Sequence, residues 1–328
     1  MNVFIASRET GAPSDWFSYP ALRILQSASR DQFAVHRCVT SGAEADLVIL
    51  ATNAEFPPSG LGVLAEKVFR ENLDRAFLIS RADQPSPLWR GLHPSWPISD
   101  ASLGMAAGWN YYHPNSAEPF IDPHLFVWPP SRLWSFVGSR YTHPVRAKLL
   151  ALEDDRAHLE DTSGSAQSHL RGETGDGAAQ FRRDYIEMLH DSKFVVCPRG
   201  MGASSMRIFE AMRAGRCPVI ISDDWLPPPF VDWGACAIRL AESDLDRLPE
   251  LLRERESEAE AMGERAQSEW RHVFGEEALF HHVVEACLLI ARHQPPPLLG
   301  RLGNLCQAPY ATEILRWAFQ KAKRFPGK

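Results

Sequence analysis

The chain has 328 residues, more than one hydrophobic core usually spans, so two domains are expected. Its composition is that of a globular protein, with 45% apolar residues, 23% charged residues and a net charge of -6. That balance excludes a general nucleic-acid binder, which needs a strongly basic face. It leaves room for local arginines that hold small phosphorylated ligands.

The first residues, MNVFIASRETG, lack a basic region followed by a long apolar stretch and read as a first strand rather than a signal peptide. No run of about 18 apolar residues offers a transmembrane helix, so a cytoplasmic location is the simplest expectation. Val3 to Ala6 reads as a strand, Trp16 to Ser27 as a helix and Asp46 to Ala51 as a buried strand. Leu61 to Asn72 reads as a helix and Ala76 to Ile79 as a further strand. Strands alternating with helices imply crossover connections and a parallel sheet. From Asp83 to Pro130 the pattern gives way to Pro, Trp, His and Gly, and this stretch is expected to be irregular.

A second α/β unit opens near Ser131. Leu133 to Val137 is a strand, Gly138 follows it, and Pro144 suits the first position of a helix. Gly164 to Ala179 is polar and glycine-rich and reads as a loop. Next come a helix at Tyr185 to His190, a strand at Phe194 to Cys197, the loop PRGMGASS, a helix at Met206 to Ala214 and a strand at Cys217 to Ile221. Helices at Leu245 to Arg255, Glu258 to Phe274 and Glu276 to Arg292 end the pattern, the last expected to return to the first domain. The predicted divisions are 1–130, 131–275 and 276–328. The six cysteines, Cys38, Cys197, Cys217, Cys236, Cys287 and Cys306, form no CxxC pair and read as reduced core thiols.

The densest chemical signal runs from Asp191 to Trp233. Gly200 and Gly202 allow a sharp turn and close approach of a ligand. Ser204 or Ser205 caps the following helix, whose N-terminal N–H groups suit phosphate oxygens. Arg199 and Arg207 add guanidinium donors. No GK[ST] or GxGxxG is present, so neither a P-loop nor a dinucleotide fingerprint is read here.

These residues resemble the exostosin-type glycosyltransferases. The shared pattern stands here as Ser192-Lys193-Phe194, Cys197-Pro198-Arg199-Gly200, Arg207, Glu210-Ala211, Gly215, Pro218-Val219, Leu226-Pro227 and Asp232-Trp233. Upstream, FVGSRYTHPVRAKL from Phe136 to Leu149 and the helix before the signature, from Tyr185, extend the likeness to about a hundred residues. The resemblance implies a GT-B fold, two Rossmann-like α/β domains with a cleft between them, and an inverting transfer from a nucleoside-diphosphate sugar, taken to be UDP-linked, to a glycan or glycoconjugate. It implies a donor site of Gly138, Arg140, Arg146, Arg199, Gly200, Gly202, Ser204, Ser205, Arg207 and Glu210. Arg199 and Arg207 would clamp the diphosphate and Glu210 would accept from ribose hydroxyls. No metal and no other cofactor is expected, and Asp223 and Asp224 read as solvated loop acids. Asp232-Trp233 reads as structural, with Trp233 buried.

The base that deprotonates the acceptor stays open among Asp100, His113 and His93, with His124 in the same stretch. The family's N-terminal pattern is echoed only faintly there, at Gly108-Trp109-Asn110. The same sequence therefore admits a catalytically degenerate nucleotide-sugar-binding subunit. Residues 312–328 carry Arg316, Lys321, Lys323, Arg324 and Lys328 against Glu313 and could lie peripherally on an anionic membrane surface, near a carbohydrate or glycolipid acceptor.

Overall fold

A computed structural model describes residues 1–6, 19–52, 63, 66–83, 88–98, 104–113, 116–164 and 176–293. These fall into two compact units. One comprises Met1–Tyr112, Leu226–Pro229 and the chain from Glu276 to the last described residue, His293; the other comprises His113–Trp225 and Phe230–Gly275.

The first unit is built on a parallel six-stranded sheet. Its strands are β1 (Asn2–Ala6), β2 (Arg37–Cys38), β3 (Leu47–Thr52), β4 (Ala76–Ser80), β5 (Gly91–His93) and β6 (Ala106–Gly108), in the order β2-β1-β3-β4-β5-β6. Every residue of β4 is buried, as are Leu47 to Ala51 of β3. That is why both read as continuous apolar runs rather than alternating ones. Helix α1 (Tyr19–Ala28) covers the sheet with Ala21 and Ile24. The predicted helix at Leu61 to Asn72 reduces, among the described residues, to the single turn α2 (Lys67–Arg70), anchored by buried Phe69.

The stretch Asp83 to Pro130 is mostly irregular among its described residues, as expected, but not wholly so. It supplies β5 and β6, each three residues long and too short to show a period. Many of its aromatics are core: Trp89, Trp96, Trp109, Tyr111 and Tyr112 are buried, whereas Phe120 is exposed. Tyr111 Oη donates to Asp83 at 2.8 Å and Trp109 Nε1 donates to Tyr112 Oη, whereas the buried Trp96 Nε1 has no hydrogen-bond partner. Gly91 is required, because a Cβ there would stand 1.8 Å from the Leu78 carbonyl oxygen of the neighbouring strand.

The second unit has a parallel five-stranded sheet of β7 (Arg132–Gly138), β8 (Ala157–Asp161), β9 (Ser192–Pro198), β10 (Cys217–Ile221) and β11 (Ile238–Leu240). The order is β11-β10-β9-β7-β8. Trp134, Phe136, Phe194, Val219 and Ile221 join Leu245, Leu248 and Leu252 in its core; each buried side chain of this size contributes about 1.5–3 kcal/mol. Helices α3 (Pro144–Leu149), α4 (Asp176–His190), α5 (Met206–Arg213), α6 (Trp233–Cys236), α7 (Leu248–Glu254) and α8 (Ala259–Phe274) belong to this unit. The polar residues at 176–179, expected in a loop, are the first turn of α4. Helix α9 (Leu279–Ala291) packs on α1 within the first unit.

Helix α5 ends in a tight cap. Gly215 has φ of +70°, its N–H donates to Met212 O at 3.0 Å, and the Arg216 N–H donates to Ala211 O at 2.9 Å. A Cβ on Gly263 of α8 would lie 2.5 Å from the Gly215 carbonyl oxygen, so two glycines allow this close approach. Cys38, Cys197, Cys217, Cys236 and Cys287 are free thiols, all but Cys38 buried; Cys306 lies outside the described residues. Trp233 is half-buried rather than buried, standing edge-on to fully buried Trp225 at 4.8 Å, while Asp232 caps α6 through Ala235 N–H.

Candidate functional site

In the second sheet β7 is flanked by β8 on one side and β9 on the other, so the chain reverses its building direction between β7 and β9. Ligands of open α/β sheets bind beyond the C-terminal strand ends at such a point. Gly138 ends β7 and Pro198 ends β9 there, and the loop after β9 leads into α5.

The loop is held by its own backbone. The Arg199 N–H continues the sheet by donating to Ile221 O at 3.0 Å, and the Gly200 N–H closes on Ser204 O at 3.3 Å. Arg146 of α3 is buried and stiffens it further, donating from Nε to Arg199 O at 2.8 Å and from Nη2 to Pro198 O at 3.1 Å. This side chain, expected as an anion ligand, also braces the loop. A Cβ on Gly200 would meet its guanidinium at 3.2 Å. Gly202 is buried in the same loop.

Arg207 lies in the first turn of α5. Its Nε donates to Val137 O at 2.8 Å and Nη2 donates to the same oxygen, with the guanidinium 5.2 Å from the Phe136 ring centroid. Val137 O thus takes two of its five N–H groups. Gly138 is glycine because a Cβ there would stand 2.6 Å from Arg207 Nη2. The alternative of an Arg207–Glu210 surface ion pair is not what forms, because Glu210 points elsewhere and is buried. Its Oε1 accepts from the Ala117 N–H at 3.0 Å and its Oε2 from the Tyr185 hydroxyl at 2.7 Å. Each oxygen keeps a second lone pair. Burial pushes the Glu210 carboxyl above the usual carboxylate range, opposed by the Arg207 charge and those two hydrogen bonds.

Arg199 faces Glu242, its Nη1 3.6 Å from Oε1. Glu242 also lies 3.9 Å from His143 Nδ1 and exchanges hydrogen bonds with Asp223: Asp223 N–H to Glu242 Oε1 at 3.3 Å, and Glu242 N–H to Asp223 Oδ1 at 3.0 Å. Burial, then the Arg199 charge, lowers the affinity of His143 for a proton. Arg140 does not join this group. It is half-exposed, and its Nε donates to Asp161 at the end of β8, on the far side of β7 from β9.

Four polar atoms around the β7 and β9 ends remain buried and without hydrogen-bond partners: Thr142 Oγ1, Arg199 Nε, Ser204 Oγ and Ser205 Oγ. Ser205 occupies the capping position of α5, with φ of −142° and ψ of 134°, yet its hydroxyl makes no cap bond. Buried polar groups are nearly always paired, so a set of donors left over at a strand-end crevice and a helix N-terminus is suited to an anion. Sequence reasoning missed Thr142, although it follows β7 directly. It missed Tyr185 and Glu242 as partners because only the fold brings them to Glu210 and Arg199.

The candidates for a base are scattered. His93 ends β5 in the first unit, fully buried, with neither ring nitrogen hydrogen-bonded, and burial lowers its pKa to about 3. His113 is half-buried and His124 exposed, while Asp100 lies outside the described residues.

The Exostosin GT47 domain matches residues 130–255. Exostosin-1 homolog of Caenorhabditis elegans is 44% identical over 73 residues, 22% of this chain and 19% of that protein. Exostosin-1 of Drosophila melanogaster is 31% identical over 155 residues, 44% of this chain and 20% of that protein. The chain therefore spans about a fifth of the length of these relatives. A glycosyltransferase from Rickettsia africae aligns over 89% of this chain and 95% of its own at 11% identity, with a TM-score of 0.37, a likeness too remote to bear on site or substrate.

Proposed function

We propose that this chain, whose residues 130–255 match the Exostosin GT47 domain, is an inverting glycosyltransferase using a nucleoside-diphosphate sugar, UDP-linked in the first instance, to extend a glycan or glycoconjugate. The observation that carries this reading is the set of buried, unpartnered groups Thr142 Oγ1, Arg199 Nε, Ser204 Oγ and Ser205 Oγ at the switch point of the second sheet. In this reading the diphosphate lies against the loop from Arg199 to Ser205 and the N-terminus of α5. The serine and threonine hydroxyls and the Arg199 Nε–H donate to its oxygens. Ligand oxygens would complete the hydrogen bonding that the protein leaves undone.

Arg207, held over Gly138 by Val137 O, brings positive charge beside the leaving group, and with Arg199 it meets the charge that develops as the glycosidic C–O bond breaks, without a metal. Arg146 and Glu210 act one layer back: Arg146 shapes the loop, and Glu210 ties α5 to α4 and to Ala117. The acceptor hydroxyl attacks the anomeric carbon from the face opposite the diphosphate and gives its proton to a general base. No helix among the described residues is long and apolar enough to cross a membrane. The cytoplasmic setting and the membrane contact of residues 312–328, which lie outside the described residues, remain part of the proposal.

A thermal-shift screen against nucleoside diphosphates and nucleotide sugars, with and without divalent metal, tests it. One diphosphate should raise Tm selectively in wild type and fail to do so in Ser204→Ala/Ser205→Ala. Donor binding without sugar turnover would select the degenerate, binding-only reading; no response to any nucleotide would sink the donor site. Activity that disappears on adding a chelator would overturn the metal-free mechanism.

A further inference from the structure

Within the first unit, the segment before β2 meets helix α9 through a cluster of three side chains: His36, His281 and Glu285. His281 and Glu285 are four residues apart on α9, which sets them one turn apart on the same face. One potential ligand atom from each of the three residues lies within 4.8 Å of the other two. His36 Nε2 is 2.9 Å from Glu285 Oε1, while His36 Nδ1 is buried with no hydrogen-bond partner. The His36 and His281 rings stack with centroids 5.3 Å apart and 27° between planes, and His281 also stacks on Phe33 at 4.0 Å. The turn that presents Phe33 and His36 places Ala34 at φ of 53°, a conformation that costs a non-glycine residue about 1 kcal/mol or more. The His36 side chain is 3% exposed and that of Glu285 33%, so the cluster is walled on one side and open to water on the other.

We propose that His36, His281 and Glu285 form a binding site for a divalent transition metal of the zinc type, with water in the fourth position. Two imidazoles and one carboxylate match the preference of such ions for nitrogen and oxygen donors. Bonds of about 2.0–2.2 Å would place ligand atoms roughly 3.3 Å apart, so groups now up to 4.8 Å apart need to draw together by at most about 1.5 Å. His36 and Glu285 are 249 residues apart in sequence, and a metal bridging them closes a long loop and fastens the beginning of the chain to α9. Nothing in this site depends on the nucleotide reading, since all three ligands belong to the other unit.

The test uses the whole chain, stripped with a chelator, then titrated with Zn²⁺ against a chromophoric competitor and with Co²⁺ for its ligand-field absorption. One equivalent should bind, Zn²⁺ should raise Tm, and Glu285→Gln should weaken binding by about ten- to a hundredfold while keeping an oxygen for His36. His281→Asn should do the same, and it guards against a folding defect peculiar to the first variant. The sequence holds 12 histidines, so Zn²⁺ binding that survives in both variants lies elsewhere and overturns the assignment. So does an absence of stoichiometric binding, which would leave the cluster as a hydrogen-bonded His–Glu pair.

Discussion

Replacing Ser205 by alanine separates a ligand-binding hydroxyl from a structural cap, because the two roles predict opposite signs. Substituting a capping serine ordinarily costs about 0.5–2 kcal/mol through the lost bond to a helix N–H. No such bond is made here, and the hydroxyl oxygen is buried without a partner. A buried polar group in that state costs about 1–3 kcal/mol, so its removal should stabilise the free protein by about 1 kcal/mol or more. For a domain of this size the Tm should rise by about 2–4 °C per kcal/mol. With ligand the sign reverses. Losing a hydrogen bond to a charged phosphate oxygen costs about 1.5–3 kcal/mol, or about ten- to a hundredfold in Kd for the nucleoside diphosphate. Differential scanning calorimetry of the free protein and titration calorimetry with the diphosphate measure both. A Ser205→Ala protein that loses stability and binds the diphosphate unchanged would refute the reasoning, for the hydroxyl would then be serving the fold.

Tyr185→Phe removes one of the two donors to the buried Glu210 carboxylate and should cost about 1–3 kcal/mol in denaturant unfolding at pH 8. Glu210→Gln should cost less, since the amide can accept from Ala117 and donate to the Tyr185 oxygen; equal losses would contradict this account. Gly108→Ala would bring a Cβ to 2.0 Å from the Leu226 carbonyl oxygen and should give poorly folded protein or a loss of several kcal/mol, whereas near-wild-type stability would show that this approach is not required. Toward acid pH two groups weaken the fold. Glu256, bonded first to Arg156 and also to Lys193, has its pKa depressed from 4.5 to about 2, so its contribution is present above 4.5 and is lost as the pH falls from there through about 2. His93, held neutral by burial with a pKa near 3, costs stability as the pH falls from 6.5 toward 3, because the unfolded chain takes up the proton first. Glu256→Gln should flatten the lower limb of a stability–pH curve, and an unchanged limb would remove that ion pair from the argument.

The long strands of both sheets were legible because fully buried parallel strands write themselves as apolar runs: LVIL in β3, AFLI in β4, FVVC in β9 and PVII in β10. Strands β2, β5, β6 and β11 were not, since two or three residues show no period, nor was the five-residue β8, whose AHLED is half-exposed and not an apolar run; at β5 the deciding residue, Gly91, answers to the backbone of another strand. The aromatic stretch misled because Trp and Tyr resemble loop anchors until their polar tips find partners such as Asp83. At the candidate site the motif marked the loop and helix where the unpartnered groups Arg199 Nε, Ser204 Oγ and Ser205 Oγ lie. It could not show that Arg146 and Arg207 would bond backbone carbonyls, because that depends on which strand end faces each guanidinium. Arg140 pairs with Asp161 on a strand that the sequence did not announce.

The cap at Gly215 bears on more than helix termination. Its cross-linked carbonyls and its contact with Gly263 clamp α5 at the end away from the serines, much as a cantilever is fixed in a wall. At the other end Arg207 donates to Val137 O and the Gly200 N–H to Ser204 O, and this tip too is fixed without using the serine hydroxyls. Helix α5 can thus hold unsatisfied hydroxyls and N–H groups in place ahead of any ligand, so that binding need not begin by ordering the site.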